Sequence, residues 1–181
     1  MKTILITGIE GFLGYYLYNM LKNEGYELKG TYFPENCKLS MQIDSMYMNL
    51  MDENNVIKVL NFYKPNIVIH TAGLSNVDVA EKNPEVSYDI NVKGTYYIAQ
   101  WCNKNNAILI FCSTNAVFYG NLAPYDESSL PLPINEYGRH KCIAERIVMA
   151  TNNYLIFRLI LLYGWNYHAR HNPVTMVIEE L

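Results

Sequence analysis

The chain has 181 residues, half of them hydrophobic and 17% charged, which suits one soluble globular domain with a sizeable core. A net charge of −3 argues against a nucleic-acid or anionic-membrane surface as partner, and no apolar run is long enough to span a bilayer. Cys37, Cys102, Cys112 and Cys142 are scattered, without a CxxC or a histidine pair at ligand spacing, so reduced thiols in a cytoplasmic protein are expected and no metal site.

Thr3 to Ile6 are β-prone and mostly apolar, as a strand buried on both faces should be, and they leave no expected signal peptide before them. Gly8-Ile9-Glu10-Gly11-Phe12-Leu13-Gly14 follows, with three glycines at a spacing of three, and a helical pattern runs from Phe12 to about Asn23. A strand, a glycine turn and a helix in that order make an anion site. The glycines let backbone N–H groups approach a pyrophosphate, and the first helical turn adds unpaired donors and a positive dipole end. Gly25 ends the helix, and Tyr26 to Tyr32 reads as a second strand. In dinucleotide folds an Asp or Glu at the end of this strand accepts the ribose 2′-OH and repels a 2′-phosphate. Thr31-Tyr32-Phe33 offers no acid, and Lys29 and Lys38 lie nearby, which favours NADP(H) over NAD(H).

Residues 34–44 read as a loop, followed by a short strand near Met46–Met48 and the segment Asn49-Leu50-Met51-Asp52. The spacing of Val56, Ile57, Val59, Leu60 and Tyr63 predicts a helix that Lys64-Pro65 stops. Asn66 to His70 is a buried strand running into Thr71-Ala72-Gly73, small residues that let the backbone lie against a ligand at a carboxyl strand end. His70 itself reads as a satisfied histidine in preference to a ligand. Ser75 to Glu81 forms a short helix, and a long one runs from Pro84 to about Asn105. Asn91 and Gly94 break a local rule within it, which points to a functional place, to close helix–sheet packing, or to both.

Ala107 to Cys112 is another buried strand, ending in the hydroxyl and amide cluster Ser113-Thr114-Asn115. A proline-rich loop crosses to Asn135, a candidate cap for a helix that carries Tyr137 and Lys141. Tyr154 to Leu159 is the sixth strand, and Val174 to Leu181 begins a further helix. Strands alternating with helices give an α/β fold, a Rossmann-type doubly wound parallel sheet with helices on both faces.

Tyr137 and Lys141 stand four apart, so both side chains lie on one face of their helix. Such a pair is common on solvated faces. Its place after a glycine turn and a hydroxyl-rich strand end turns the balance towards chemistry. A free phenol titrates near 10, and an adjacent ammonium, by favouring the phenolate, is expected to bring it towards neutrality.

On these motifs the chain resembles the extended short-chain dehydrogenase/reductase superfamily and, within it, the dTDP-4-dehydrorhamnose reductase-like branch. Gly8, Gly11 and Gly14 match the family's glycine turn. Asn49-Leu50 sits where the family has Asp-Leu or Asp-Ile near the adenine. Thr71-Ala72-Gly73 matches the small-residue turn along the cofactor, and Asn91-Val92-Lys93-Gly94-Thr95 the family's N-V-x-G-T. Thr114 falls on the catalytic Ser/Thr, and Tyr137 and Lys141 fall on Y-x-x-x-K. Pro124-Tyr125-Asp126-Glu127 and Arg158 to Gly164 match the reductase branch. The resemblance implies that Tyr137 donates a proton, that Lys141 binds the nicotinamide ribose and tunes Tyr137, and that Thr114 holds the sugar C4 oxygen. It further implies an NAD(P) contact surface made of Gly8, Glu10, Gly11, Phe12, Leu13, Gly14, Tyr32, Asn49, Leu50, Thr71, Ala72, Gly73, Asn91, Tyr137 and Lys141.

The implied activity is NAD(P)H-dependent reduction of a nucleotide-linked 4-keto sugar. The alternatives are a nucleotide-sugar epimerase or dehydratase, and a non-catalytic dinucleotide-binding regulatory subunit. Asn115 stands where the reductases commonly have Asp, which removes a carboxylate next to Thr114. Family members continue for on the order of a hundred residues beyond this length, a domain's worth. The expected division is therefore 1–165 as the NAD(P)-binding domain and 166–181 as the start of a truncated substrate-binding region. A homodimer through the helices near 84–105 and 136–152 is expected by analogy.

Overall fold

Leu5 is fully buried at the middle of the sheet, and its neighbours Ile4 and Ile6 are buried on the opposite face, the alternation a central strand requires. The computed structural model describes residues 1–34, 43–121, 123–165 and 177. The strands are β1 (Thr3–Thr7), β2 (Glu27–Tyr32), β3 (Ser45–Tyr47), β4 (Ile67–His70), β5 (Ile108–Thr114) and β6 (Tyr154–Leu159). They form one parallel sheet in the order β3-β2-β1-β4-β5-β6, with Thr7 opposite His70 and His70 opposite Phe111. The chain leaves β1 towards one edge and returns at β4 to build the other. The carboxyl ends of β1 and β4 therefore flank the switch point where open α/β sheets bind ligands.

The helices are α1 (Phe12–Leu21), α2 (Glu53–Tyr63), α3 (Val77–Lys82), α4 (Pro84–Tyr88), α5 (Gly94–Lys104) and α6 (Glu136–Met149). Ile4, Ile6, Ile9 and Ile69 pack against Tyr15, Leu17, Tyr18 and Leu21 of α1 on one face. Leu5, Val68, Leu109 and Phe111 on the other meet α2, α5 and α6 through Val56, Leu60, Ile98, Trp101 and Val148. Helices cover both faces, as the strand–helix alternation implies. Among the described residues no helix is long and apolar enough to cross a membrane.

Local sequence sets the boundaries. Asp52 caps α2 by accepting from Asn55 N at 3.1 Å, and Lys64 ends it in the left-handed region at φ 45°. The helix read as continuous from Pro84 to Asn105 is interrupted. Asp89–Lys93 forms a turn of π-helix between α4 and α5, which adds a residue to the local winding and swings Asn91 out of α-helical register. A Cβ on Gly94 would stand 2.7 Å from Leu50 Cβ, which is the close packing expected at that glycine. Cys37, Lys38 and the helix expected over Val174–Leu181 (Val177 apart) lie outside the described residues, as does most of 166–181.

Candidate functional site

The glycine turn follows β1 directly. Gly8 has φ +69°, and a Cβ there would meet Ala72 at 3.1 Å. One on Gly14 would stand 2.3 Å from Gly8 O. Gly11 caps α1 without a side-chain hydrogen bond, so the first-turn N–H groups face the carboxyl end of β1. Glycine is thus required for the turn to close this tightly, and the turn together with those donors fits a dinucleotide pyrophosphate. Phe12 and Leu13 are partly buried beside it, and Phe12 packs on Tyr16 with ring centroids 4.9 Å apart.

The turn is stitched to the end of β2. Ile9 N donates to Thr31 O at 3.0 Å, and Gly8 N donates to Thr31 Oγ1 at 3.3 Å. Phe33 N donates to Glu10 Oε1 at 3.1 Å. Thr31 is thus buried and engaged, and an acid reaches the end of β2 from the turn. Lys29 is held by Asp44 at 2.5 Å and Glu27 at 2.9 Å, and those carboxylates push its ammonium above the usual lysine range. Tyr32 stacks edge-on against Tyr47 at 6.3 Å.

Behind β1 and β4 runs a buried row of hydrogen bonds. The N–H groups of Thr71 and Ala72 donate to Thr7 Oγ1 at 3.1 and 3.0 Å. Thr7 Oγ1 then gives its hydrogen to His70 Nδ1 at 2.8 Å, which leaves Nε2–H to donate to Thr95 Oγ1 at 3.2 Å. Thr95 in turn donates to Asn91 O at 2.7 Å. Burial, with Lys141 adding to it, takes the imidazole down to about 3, so His70 is neutral and fully satisfied.

Asn91 grips the segment after β4 from both sides. Its Oδ1 accepts from Leu74 N at 2.9 Å, and its Nδ2 donates to Leu74 O at 3.0 Å. Nδ2 also reaches Ser87 Oγ at 3.3 Å, and Ser87 meets His140 of α6 at 2.9 Å. Asn91 is 3% exposed, so it holds the Gly73–Leu74 backbone from behind. Leu50 is likewise buried against Gly94, and Asn49 Oδ1 accepts from Met51 N at 3.0 Å.

Two strands along from the glycine turn, Thr114 ends β5. Its Oγ1 accepts from Ala116 N at 3.1 Å and caps a short 3₁₀ turn, Asn115–Val117. Asn135 caps α6 by accepting from Gly138 N at 2.7 Å. A Cβ on Gly138 would lie 2.2 Å from Ala116 O, so the first turn of α6 packs directly on the end of β5. That contact brings the Tyr137 phenol to the Thr114 hydroxyl. Burial pushes the phenol up, and the Thr114 hydrogen bond pulls it down by less. Lys141 is buried one turn on, and burial brings its ammonium down to about 8. The direction expected for Tyr137 is thus reversed: desolvation, which opposes a phenolate, wins.

A cluster that sequence reasoning left out supports this end. Glu145, 1% exposed, accepts from Ser113 Oγ at 2.5 Å and pairs with Arg158 through Nε at 3.0 Å and Nη2 at 2.8 Å. Arg158 also lies 5.0 Å from the centroid of Phe118, which stacks on Tyr125 at 4.3 Å. The signal was present: 137, 141 and 145 are spaced by four along one face of α6, with Lys141 and Glu145 buried.

The fold and the sequence have known relatives. The model of the RmlD substrate binding domain matches residues 1–180. Methionine adenosyltransferase 2 subunit beta of Bos taurus is 28% identical over 181 residues, 99% of this chain and 53% of that protein. The chain thus spans about half the length of this curated relative. The crystal structure of dTDP-4-dehydrorhamnose reductase from Bacillus anthracis in complex with NADP superposes with a TM-score of 0.85 at 32% identity, covering 98% of this chain and 59% of that one. UDP-glucose 4-epimerase from Brucella ovis in complex with NAD gives 0.77 at 27% identity, covering 87% and 51%. With that match across nearly its whole length, the chain belongs to the RmlD substrate binding domain family, in the extended short-chain dehydrogenase/reductase superfamily.

Proposed function

We propose that the chain is the dinucleotide-binding and proton-transfer part of a reductase acting on a nucleotide-linked 4-keto sugar. The observation that carries this reading is the pairing of the Thr114 hydroxyl with the Tyr137 phenol at the carboxyl end of β5, on the same sheet edge as the glycine turn. The NADP and NAD complexes of the two relatives support a nicotinamide dinucleotide as cofactor. When bound, that cofactor supplies hydride. Gly8, Gly11 and Gly14 hold its pyrophosphate, and Thr71 to Gly73 line its path.

The chain's own residues handle the proton. Burial keeps the Tyr137 phenol protonated at neutral pH, the form a reductase needs in order to donate. Thr114 and Tyr137 both hydrogen-bond the sugar C4 oxygen, and the phenolic proton passes to that oxygen as the carbon accepts hydride, giving the alcohol. Lys141 binds the nicotinamide ribose and, as a cation beside the site, offsets the charge left on the phenolate.

The likeness to a methionine adenosyltransferase subunit favours a second reading, a dinucleotide-binding subunit without turnover. Oxidation of NADH or NADPH with a dTDP-4-keto-6-deoxyhexose, with Tyr137→Phe as control, separates the two. Turnover that Tyr137→Phe lowers at least a hundredfold, with cofactor binding kept, supports the reductase. Cofactor binding without turnover supports the second reading, and an active Tyr137→Phe sinks the proton-donor role.

A further inference from the structure

We infer that Glu10 is the residue that selects between the two nicotinamide dinucleotides, and that it selects NAD(H). The inference rests on reading the glycine turn as the dinucleotide cradle. An acid that chooses NAD does so by standing at the end of β2, where it accepts the adenosine 2′-OH and repels a 2′-phosphate. The end of β2 here has no such residue of its own, and Thr31 is occupied with the turn, through Gly8 N at 3.3 Å and Ile9 N at 3.0 Å. The same stitching draws Glu10 alongside β2, and the Phe33 N–H fixes its Oε1 at 3.1 Å, immediately past the last residue of the strand. One carboxylate oxygen, Oε1, therefore stands at the selecting position with Oε2 buried behind it, delivered by the turn and not by the strand.

The surrounding charge points the same way. Lys29, the nearest described cation of β2, is held between Asp44 at 2.5 Å and Glu27 at 2.9 Å. Two carboxylates against one ammonium leave that cluster with a net negative charge, a poor counterpart for a phosphate dianion. Two grounds for an NADP(H) preference, a strand end without an acid and an available Lys29, are altered by these contacts, and the third, Lys38, lies outside the described residues.

The test is a fluorescence titration of wild type and Glu10→Gln with NADH and with NADPH. Glutamine keeps an oxygen for the Phe33 N–H and removes only the charge, so the fold is conserved, which equal thermal midpoints check. Wild type is expected to bind NADH at least about tenfold more tightly than NADPH, and Glu10→Gln to bring the two within about threefold, mainly by tightening NADPH. Competition by adenosine 2′-monophosphate should strengthen in the variant likewise. Equal or tighter NADPH binding by wild type, or a ratio unmoved by Glu10→Gln, overturns the assignment of Glu10 while leaving the cradle in place. Failure of both cofactors to bind the folded protein overturns the cradle reading itself, and this assignment with it.

Discussion

The Lys141 ammonium donates to the main-chain oxygen of Cys112 at 2.6 Å and lies 3.9 Å from the centroid of the Phe111 ring. A fully desolvated cation is thereby held at the end of β5 by one carbonyl dipole and one aromatic face. Burial favours its neutral form, so its charge is a cost to folding that rising pH relieves.

The sign follows from linkage. Below about pH 8 both folded and unfolded chains carry the Lys141 proton, and the full cost, about 3 kcal/mol, is present. Between about 8 and 10.5 the folded form releases the proton first, and stability from this group rises. Lys141→Met is therefore expected to be more stable than wild type at neutral pH by about 2 kcal/mol, once the lost hydrogen bond is counted. That margin should shrink as pH approaches 10. Urea unfolding of both proteins at the two pH values reads it, and parallel pH profiles would count against a charged Lys141 in the core.

His70 gives the opposite window. Its folded value lies near 3, below that of the unfolded imidazole, so its contribution is complete above about pH 6.5 and is lost as pH falls towards 3. At about pH 4.5 the wild type should have lost about 2–3 kcal/mol that His70→Gln does not lose, so the stability gap between them narrows by that amount. Chemical denaturation at neutral and mildly acid pH measures the gap. An unchanged gap would mean that His70 is protonated inside the fold.

Gly138→Ala tests the approach of α6 to β5. The added methyl would meet Ala116 O, and a shift of that turn separates Tyr137 from Thr114. Misplacement of a proton donor on this scale costs about a hundredfold in turnover. Dinucleotide affinity, set mainly by the glycine turn two strands away, should change less, by under about threefold. Equal losses in binding and turnover would show instead that the whole sheet end had moved.

Arg158→Met leaves the Glu145 carboxylate buried with Ser113 alone, at a cost of about 3 kcal/mol. Adding Glu145→Gln removes the unpaired charge, so the double variant should be more stable than the sum of the singles by about 2 kcal/mol. A cycle closing to within about 0.5 kcal/mol would show the pair to be uncoupled.

The sheet was legible because β1, β4 and β5 are buried on both faces and read as short apolar runs between turn residues. The end of α2 was legible in Lys64-Pro65 and the start of α6 in Asn135, which act locally. Thr114, Tyr137 and Lys141 could be placed near one another because their elements end on one edge of the sheet. What the sequence hid were relationships at a distance. A single π turn of five residues is too short to show in the apolar spacing of the helices on either side, so Asn91 and Gly94 marked it only indirectly. The carboxylate at the end of β2 comes from Glu10, more than 20 residues earlier than the strand end, where reading along the strand finds no acid. The direction of the Tyr137 shift depends on burial, which the four-residue spacing to Lys141 does not report.

The row from Thr71 and Ala72 through Thr7, His70 and Thr95 to Asn91 begins at backbone N–H groups, which can only give a hydrogen, and ends at a carbonyl, which can only take one. Ice retains disorder because each of its protons has two sites to choose between. Here every proton has one. A row that cannot turn its hydrogens over cannot carry a proton and reset, so it works as a strut and not as a wire. Its effect is to keep the loops after β1 and β4 at a constant spacing, whatever the charge state of the groups that line them.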